Sequence, residues 1–261
     1  MTISFYKYQG TGNDFVIIDN RLLLFPKNDT KLVARLCDRK FGVGADGLML
    51  LENSENQEED FKMVYYNSDG HLSSMCGNGG RCLVAFASFL GVISDKAVFT
   101  AVDGRHTAAL KDGLVHLQMQ DVATVSVRDS HIFLDTGSPH HVVYVEELDS
   151  YAVVEEGARI RYGEPYGQKG SNVNFVETIA PDIFAVRTYE RGVENETLSC
   201  GTGVTAVALA AHASGRTTHT QVALQTPGGE LNVRFRVIDN RYTDIWLIGP
   251  AVQVFSGQID I

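Results

Sequence analysis

Two stretches, MCGNGGRC at residues 75–82 and SCGTG at residues 199–203, decide how this chain is organised. In each, a cysteine comes directly before small residues that open an apolar run, LVAFA at 83–87 and VTAVA at 204–208. Each run predicts a helix with a cysteine, Cys76 or Cys200, at its N-terminus. Unpaired backbone N–H groups and the positive end of the helix dipole lie there, and they lower the pKa of a thiol from about 8.5 toward neutrality. The same N–H groups bind carboxylates or phosphates. One such helix would suggest a nucleophile, whereas two suggest a symmetric reaction.

Length and composition indicate an ordinary globular protein of two domains. The 261 residues fit two domains of roughly 130 residues each. The contents of 44% hydrophobic and 21% charged residues are typical of a soluble globular protein. The formal net charge of −10, with no basic run, argues against nucleic acid and anionic membranes as partners. It does not argue against a small zwitterionic ligand bound by local dipoles.

The N-terminus and the cysteine content bear on where the protein acts. The start, MTISFYK, has neither the basic region nor the apolar region of a signal peptide. No apolar run approaches the roughly 18 residues of a membrane span. Four cysteines are too few for a disulfide scaffold in a chain of this length. We therefore expect a cytoplasmic protein with reduced thiols.

The apolar pattern predicts many strands and a few helices. The cysteine-headed helices should end near Gly91 and Gly215, and two further helices are expected at 31–40, capped by Thr30, and near 151–161. Strands are expected in the segments 3–19, 48–51, 61–66, 97–120, 132–134, 142–145, 174–176, 183–189, 221–225, 230–237, 244–248 and 252–255.

The order of these parts repeats along the chain. A junction between strands, GND at 12–14 or SPH at 138–140, precedes a strand that ends in a polar turn, YN at 66–67 or YE at 189–190. A cysteine-headed helix follows each turn. Because local identity between the two halves is low, the repeat is one of architecture. It predicts two similar domains that face each other across a cleft, each supplying one thiol.

The other two cysteines are interpreted as core residues. Cys82 shares the spacing of a buried helix face with Ala85, Phe86 and Phe89, and Cys37 lies on the apolar face of the 31–40 helix. A buried free cysteine behaves as a small hydrophobic residue. Cys76 and Cys200 are therefore the two candidate reactive thiols.

Nucleotide and metal sites are disfavoured by their context. GVGADG at 42–47 has the glycine spacing of a dinucleotide fingerprint, but it follows a helix and precedes a strand, the reverse of the required order. Cys76 and Cys82 are too widely spaced for a zinc pair, and His140 and His141 would point to opposite faces of a strand. We expect neither a metal nor an organic cofactor.

With both cysteine motifs in place, the chain resembles the diaminopimelate epimerases, amino-acid epimerases that work without a cofactor. The resemblance covers nearly the whole chain. It is carried by both cysteine motifs and by GTGNDF at 10–15, NSDG at 67–70, PH at 139–140, NVNF at 172–175, ERG at 190–192 and ET at 196–197.

The resemblance implies a fold and a domain division. The fold would be α/β (α+β): two similar domains, each a curved, mostly antiparallel or mixed sheet around a central helix. The domains would be related by a pseudo-two-fold axis, with the active site in the cleft between them. The first would comprise residues 1–120 with the returning strand 252–261 and carry Cys76, and the second would comprise 121–251 and carry Cys200.

The resemblance also implies roles for individual residues. Cys76 and Cys200 would be the acid/base thiols, tuned by His140 near Cys76 and by Glu190 near Cys200. The residues expected to hold the substrate are Asn13, Asn67, Gly77, Asn78, Asn172, Glu190, Arg191, Gly201 and Thr202. Arg191 suits a bidentate grip on a carboxylate.

Two positions depart from the common pattern of the family, and a third residue bears on assembly. Many members carry Gln where Gly47 stands and Asn where Ser138 stands, so those two substrate contacts would have to be replaced here. Phe255 occupies the place of a tyrosine at a dimer contact, and a homodimer is therefore expected.

A thiolate and a thiol on opposite faces of an α-carbon can invert it, one removing a proton and the other supplying one. The resemblance implies that the reaction is the interconversion of LL- and meso-diaminopimelate. A proline-type racemase would use the same thiols in a smaller pocket. A cysteine hydrolase would depend on Cys76 and His140 alone, and an amino-acid binding module would need neither thiol.

Overall fold

The computed structural model describes all residues from 1 to 261 and divides into two compact units. Unit 1 comprises residues 1–117 with 249–261, and unit 2 comprises residues 118–248. The strands of each unit pair with one another, and each unit has its own buried core. No helix in either unit is both long enough and apolar enough to span a bilayer.

Unit 1 consists of eight strands and two helices. In chain order they are β1 (Thr2–Gly10), β2 (Asn13–Asp19), α1 (Thr30–Cys37), β3 (Gly47–Glu52), β4 (Phe61–Asn67), α2 (Gly77–Phe89), β5 (Lys96–Ala101), β6 (Gly104–Lys111), β7 (Leu114–Gln118) and β17 (Val252–Asp260). The final strand β17 pairs with β1, and the sheet continues from β1 through β7 in chain order.

Unit 2 contains the remaining elements. They are β8 (Val125–Val127), β9 (Ile132–Asp135), β10 (Pro139–Tyr144), a 3₁₀ turn (Leu148–Ser150), α3 (Val153–Tyr162), β11 (Asn172–Ala180), β12 (Ile183–Glu190), β13 (Asn195–Thr197), α4 (Gly201–Ala213), β14 (Gln221–Thr226), β15 (Gly229–Ile238) and β16 (Arg241–Gly249). Its main sheet runs from β8 to β12 and continues with β14, β15 and β16, while the short β13 pairs with β12.

The strands of the two units share one pairing pattern, which confirms the expected repeat of architecture. From β17 to β7, and again from β8 to β16, successive pairs are antiparallel, antiparallel, parallel, antiparallel, parallel, antiparallel and antiparallel. A parallel pair needs a crossover connection. The four helices supply these connections: α1 and α2 in unit 1, and α3 and α4 in unit 2. Each cysteine-headed helix is therefore the second crossover of its unit.

The core of each unit explains why the strands and helices are so apolar. In unit 1, α1 packs on the side of the sheet that holds Val16 and Leu48, while α2 packs against β1, β2, β3 and β6. Strands covered on both faces are apolar without alternation. In unit 2, α4 contacts seven strands and is buried over nearly its whole length, so small apolar residues occupy all of its sides.

The structure corrects some local predictions. Helix α1 is capped by Asp29, whose carboxylate accepts the Leu32 N–H, and it ends at Cys37 instead of Lys40. The pair Pro139-His140 belongs to β10, which was predicted to begin only at Val142. The 3₁₀ turn Leu148–Ser150 and strand β13 were not predicted, because neither has a periodic apolar pattern.

Candidate active site

Cys76 lies where a thiol can act, at the N-cap of α2. Its backbone is extended, with φ −111° and ψ 128°, and its carbonyl accepts the first helical hydrogen bond from the Gly80 N–H at 2.7 Å. The side chain does not cap the helix, so the sulfur is directed elsewhere. The next two predicted residues, Gly77 and Asn78, form the buried first turn.

The Cys76 thiol contacts the side chain of Asn13, at the start of β2. The Cys76 Sγ donates to Asn13 Oδ1 at 3.6 Å, and Asn13 Nδ2 donates to Asp46 Oδ2 at 2.6 Å. Because a carboxylate only accepts hydrogen bonds, Asp46 fixes the amide with its NH₂ toward itself. The amide oxygen of Asn13 is thereby turned toward the thiol.

A cluster of charged residues holds Asp46 and the start of β2 in place. Arg39 donates two hydrogen bonds to Asp14, at 2.8 and 3.0 Å, and one to Asp46 at 2.8 Å. Lys7 pairs with Asp14 at 2.7 Å. Burial alone would raise the pKa of the Asp14 carboxyl, but hydrogen bonds from Arg39 and Lys7 outweigh it and hold that pKa well below its usual range. Asp14 is therefore a structural anion.

Gly47, one of the departures from the family pattern, is matched by Tyr65 on the adjacent strand. A Cβ at position 47 would lie 2.5 Å from Tyr65 Cε2 and 2.6 Å from the Tyr66 carbonyl oxygen. The Tyr65 ring thus covers the position where a longer side chain at 47 would begin. Gly47 also pairs with Asn67, which is exposed at the end of β4.

Cys200 repeats the position of Cys76 at the N-cap of α4. Its backbone is extended, with φ −124° and ψ 114°, and the Sγ lies 3.4 Å from Thr202 Oγ1. The Thr202 carbonyl accepts a hydrogen bond from Thr136 at 2.9 Å. A Cβ on Gly203 would lie 2.5 Å from Asn174 Oδ1, so the first turn of α4 must be glycine at this point. Gly201 is buried in that same turn.

Glu190 ends β12, and its carboxylate accepts a hydrogen bond from Thr197 Oγ1 at 3.0 Å. Thr197 lies on β13, which precedes the Cys200 loop. The short β13 therefore positions the carboxylate.

His140 is fully buried on β10 and is neutral. Burial, with a smaller contribution from Arg191, lowers the pKa of the His140 imidazole to about 3. Its Nδ1 lies 3.1 Å from Asn174 Nδ2, whose amide is oriented by Thr188 donating to Asn174 Oδ1 at 3.0 Å. The Nε2 atom lies 3.5 Å from Asn172 Nδ2, so an amide NH₂ group faces each of the two ring nitrogens.

Asn172 links several of the predicted residues. Its Oδ1 accepts from the Arg191 backbone N–H at 2.8 Å, and its Nδ2 donates to Ser138 Oγ at 3.2 Å. The Arg191 guanidinium is exposed and donates to the Lys169 carbonyl at 3.0 Å. Ser138, the second departure from the family pattern, thus supports Asn172.

The predicted residues fall into one group in each unit. Unit 1 brings Cys76 together with Asn13, Gly77 and Asn78, and it places Asn67 at the edge beside Gly47. Unit 2 joins His140, Asn172 and Arg191 through hydrogen bonds, and it places Cys200 with Gly201 and Thr202. No group of three or more His, Cys, Asp or Glu side chains is arranged to hold a metal ion.

Asp46 and Asn174 support this site and were missed by the sequence interpretation. Asp46 was read only as part of the glycine-rich stretch 42–47, and its contact with Asn13 spans 33 positions. Asn174 could have been found, because it stands two residues after Asn172 and alternation places both side chains on one face of β11.

Comparison with known proteins shows the family of this chain. The family described as Diaminopimelate epimerase matches residues 5–128 and 132–254. The diaminopimelate epimerase of Flavobacterium psychrophilum is 55% identical over 255 residues, covering 97% of this chain and 99% of that protein. The enzyme of that name from Chlorobaculum tepidum is 42% identical over 262 residues, covering 97% and 99%.

Solved structures with low sequence identity share the fold. A PhzF-family phenazine biosynthesis protein of Bacillus anthracis has a TM-score of 0.78 at 14% identity, covering all of both chains. A hydroxyproline epimerase of Agrobacterium vitis has a TM-score of 0.67 at 15% identity, covering 99% of this chain and 92% of that one. From the family match and the full-length relatives, this chain belongs to the diaminopimelate epimerase family.

Proposed function

We propose that this protein interconverts LL- and meso-diaminopimelate, a step that serves lysine and peptidoglycan precursor synthesis. The observation that carries the proposal is the pair of thiols, Cys76 and Cys200, each at the N-cap of the second crossover helix of its unit. The family match and the relatives named diaminopimelate epimerase support the choice of substrate. The reaction needs no cofactor, because the two thiols supply both proton transfers.

In the proposed mechanism, each thiol serves one face of the α-carbon. One cysteine acts as a thiolate and takes the α-proton, while the other, as a thiol, delivers a proton to the opposite face. In the reverse direction the two exchange roles. The carbanion that develops is next to the α-carboxylate, and N–H groups in the first turns of α2 and α4, at Gly77, Asn78, Gly201 and Thr202, would stabilise that charge.

The remaining polar residues would hold and orient the substrate. Asn13, Asn67, Asn172 and Arg191 supply the amide and guanidinium groups that a second amino-acid centre requires. Glu190 and His140 would act on the thiols: Glu190 as a carboxylate that accepts a proton, and His140 as a neutral imidazole. This neutral form follows from the burial of the His140 ring.

A direct assay tests the proposal. Purified protein is incubated with LL-diaminopimelate, and separately with the meso form, without any added cofactor, and the isomers are resolved by chromatography. Interconversion in both directions is expected, with no racemisation of L-proline under the same conditions. Turnover of proline without turnover of diaminopimelate would instead identify a proline-type racemase.

We further propose that the protein acts in the cytoplasm as a homodimer. Strand β17 pairs only with β1 and exposes the apolar side chains of Val252, Val254 and Phe255, which are 47%, 56% and 46% exposed. An apolar strand exposed in this way is typical of a surface that pairs with another chain. Sedimentation of the active protein as a monomer at micromolar concentration would contradict the dimer.

A further inference from the structure

Arg81 is the largest fully buried side chain of the protein, and it has no carboxylate partner. It lies on α2, five positions after Cys76, and its relative exposure is 0%. Its three hydrogen bonds go to neutral oxygens: Nη2 to Thr11 Oγ1 at 3.1 Å, Nη1 to the Gly77 carbonyl at 3.3 Å and Nε to the Pro250 carbonyl at 3.4 Å. None of the ion pairs in the structure includes Arg81.

The stability of the fold does not account for this arrangement. A buried charge without a counter-ion costs several kcal/mol. The cation also lies beside the first turn of a helix, where the dipole favours anions instead. The bond from Nη1 to Gly77 shows that the guanidinium is at this end of α2. An anion formed nearby would be strongly stabilised.

Two thiols lie near this charge. Cys82 is the residue next to Arg81, and Cys76 is the residue next to Gly77, whose carbonyl accepts from Arg81 Nη1 at 3.3 Å. Burial raises the pKa of the Cys82 thiol to about 12, so Cys82 stays neutral and cannot supply the anion. Cys76, at the helix N-cap and only partly buried, is the group that can ionise.

The hydrogen bonds of Arg81 also determine what surrounds Cys76. Thr11 belongs to the turn between β1 and β2, adopts the left-handed φ of 49° and donates to Asn78 Oδ1 at 3.4 Å. Two residues later in the chain is Asn13, which accepts the hydrogen bond of the Cys76 thiol. Arg81 therefore fastens the turn that carries Asn13 to the helix that carries Cys76.

We propose that Arg81 is a positioning residue whose buried guanidinium stabilises the Cys76 thiolate and fastens the Thr11 turn to the first turn of α2. The inference rests on the proposed function only in taking Cys76 as an acid/base group. The effect of Arg81 on the pKa of the Cys76 thiol can be measured without substrate.

The test is the pKa of Cys76, measured by the pH dependence of alkylation with iodoacetamide and by thiolate absorbance. A Cys200→Ala background leaves Cys76 as the reactive thiol, since Cys37 and Cys82 are buried. In this background the pKa should lie below the value of about 8.5 for free cysteine. Arg81→Met should raise it by about 1 unit or more, because it removes a nearby positive charge.

Two further variants separate charge from structure. Arg81→Lys keeps the charge but cannot bridge three oxygens, so the pKa should stay low while kcat/KM falls in the otherwise native enzyme. Arg187→Met in unit 2 is the control for the loss of an arginine that donates to carbonyls, here those of Leu148, Asp149 and Tyr151, although Arg187 is also paired with Glu196. It should lower the thermal stability without changing the pKa of Cys76.

An unchanged Cys76 pKa in folded Arg81→Met protein would overturn the proposal. If that variant does not fold, the unsubstituted Arg81 protein still decides, because a Cys76 pKa at or above that of free cysteine also overturns it. A low, Arg81-dependent pKa in a protein that fails to epimerise would refute the proposed function and leave this inference standing. Epimerisation by a protein whose Cys76 pKa does not depend on Arg81 would refute this inference and leave the proposed function standing.

Discussion

At the scale of single residues, the orientation of one amide controls the environment of Cys76. Asn13 could present either its oxygen or its NH₂ group to the thiol, and Asp46 selects the oxygen by accepting at 2.6 Å. An amide oxygen accepts the thiol proton and holds the sulfur in one direction. The carboxylate of Asp46 thus acts on the thiol through Asn13.

The first prediction concerns Asp46→Asn. Asparagine at this position places an NH₂ group against either the Asn13 amide or the Arg39 guanidinium, both of which are donors. We expect kcat/KM to fall about tenfold, the equivalent of ~1.4 kcal/mol for a disturbed hydrogen bond to a charged group. Asp38→Asn, an exposed carboxylate whose contacts are backbone N–H groups, is the control and should retain activity. Equal kcat/KM in the two variants would refute this role for Asp46.

The second prediction is a loss of stability below pH 6.5 caused by buried histidines. Burial lowers the pKa of His140 to about 3 and, with neighbouring positive charges, that of His141 to about 4. The unfolded chain, with a histidine pKa of about 6.5, therefore binds protons first as the pH falls. Each ring should cost about 2 kcal/mol of unfolding free energy at pH 5. Asp14, whose pKa is depressed, adds its own loss only below the unfolded aspartate value of about 3.9.

Denaturant unfolding at pH 7.5 and pH 5.0 measures this effect. His141→Gln should show a smaller difference between the two pH values than the native chain. His219→Gln, at an exposed position, should behave as the native chain does. The interpretation fails if the native protein is equally stable at both pH values.

At the scale of elements, close packing between adjacent strands determines what position 47 can hold. Gly47 begins β3 directly beneath the Tyr65 ring and the Tyr66 carbonyl of β4. The ring can move, whereas the carbonyl belongs to the ladder between the strands. Close packing between β3 and β4 therefore explains the glycine at position 47 without reference to the substrate.

The third prediction follows for Gly47→Ala. The added Cβ would be 2.6 Å from the Tyr66 oxygen, so β3 and β4 must separate slightly. We expect a loss of about 1–3 kcal/mol in unfolding free energy, as for other overpacked sites. Adding Tyr65→Ala should remove only the part of this loss that comes from the contact between the new Cβ and the Tyr65 ring. Unfolding free energies from denaturant titration decide the matter, and native stability in Gly47→Ala would show that the strands accommodate a methyl group freely.

The elements differ in how far they could be predicted. Helices α2 and α4 were predictable because the N-cap cysteine, the small first turn and the apolar run are contiguous. The cap of α1 was misassigned because Asp29 and Thr30 are adjacent and both are good N-caps. The start of β10 was missed because Pro139 reads as a break, although proline is tolerated at the first residue of a strand.

The site was predictable to a lesser extent than the fold. Cys76 and Cys200 were selected as candidate thiols from local context alone, and both lie at helix N-caps. Residues that act through distant contacts, such as Asp46 on Asn13 or Asn174 on His140, were not assigned roles, because these contacts join elements far apart in sequence. The neutral state of His140 depends on complete burial, which the sequence does not reveal.

At the scale of the whole molecule, the repeated topology gives the two thiols equivalent settings. Each is the N-cap of the helix that makes the second parallel crossover of its sheet. The surroundings nevertheless differ: Cys76 donates to an asparagine oxygen, whereas Cys200 lies beside the hydroxyl of Thr202. Equivalent positions with different partners suit a reaction in which one sulfur is an acid while the other is a base.

The last prediction tests this division of labour. If each thiol serves one face of the α-carbon, Cys76→Ala and Cys200→Ala should each abolish epimerisation in both directions, by at least about a thousandfold, because neither proton transfer can be omitted. Binding should fall much less, since Asn13, Asn67, Asn172 and Arg191 are unchanged. The remaining cysteine can still exchange the α-hydrogen of one isomer with solvent deuterium and return it to the same face. NMR of each variant in D₂O, with LL- and meso-diaminopimelate supplied separately, should therefore reveal opposite isomer preferences. Exchange of the same isomer by both variants would favour a single-base mechanism and would mean that the two cysteines are not partners on opposite faces.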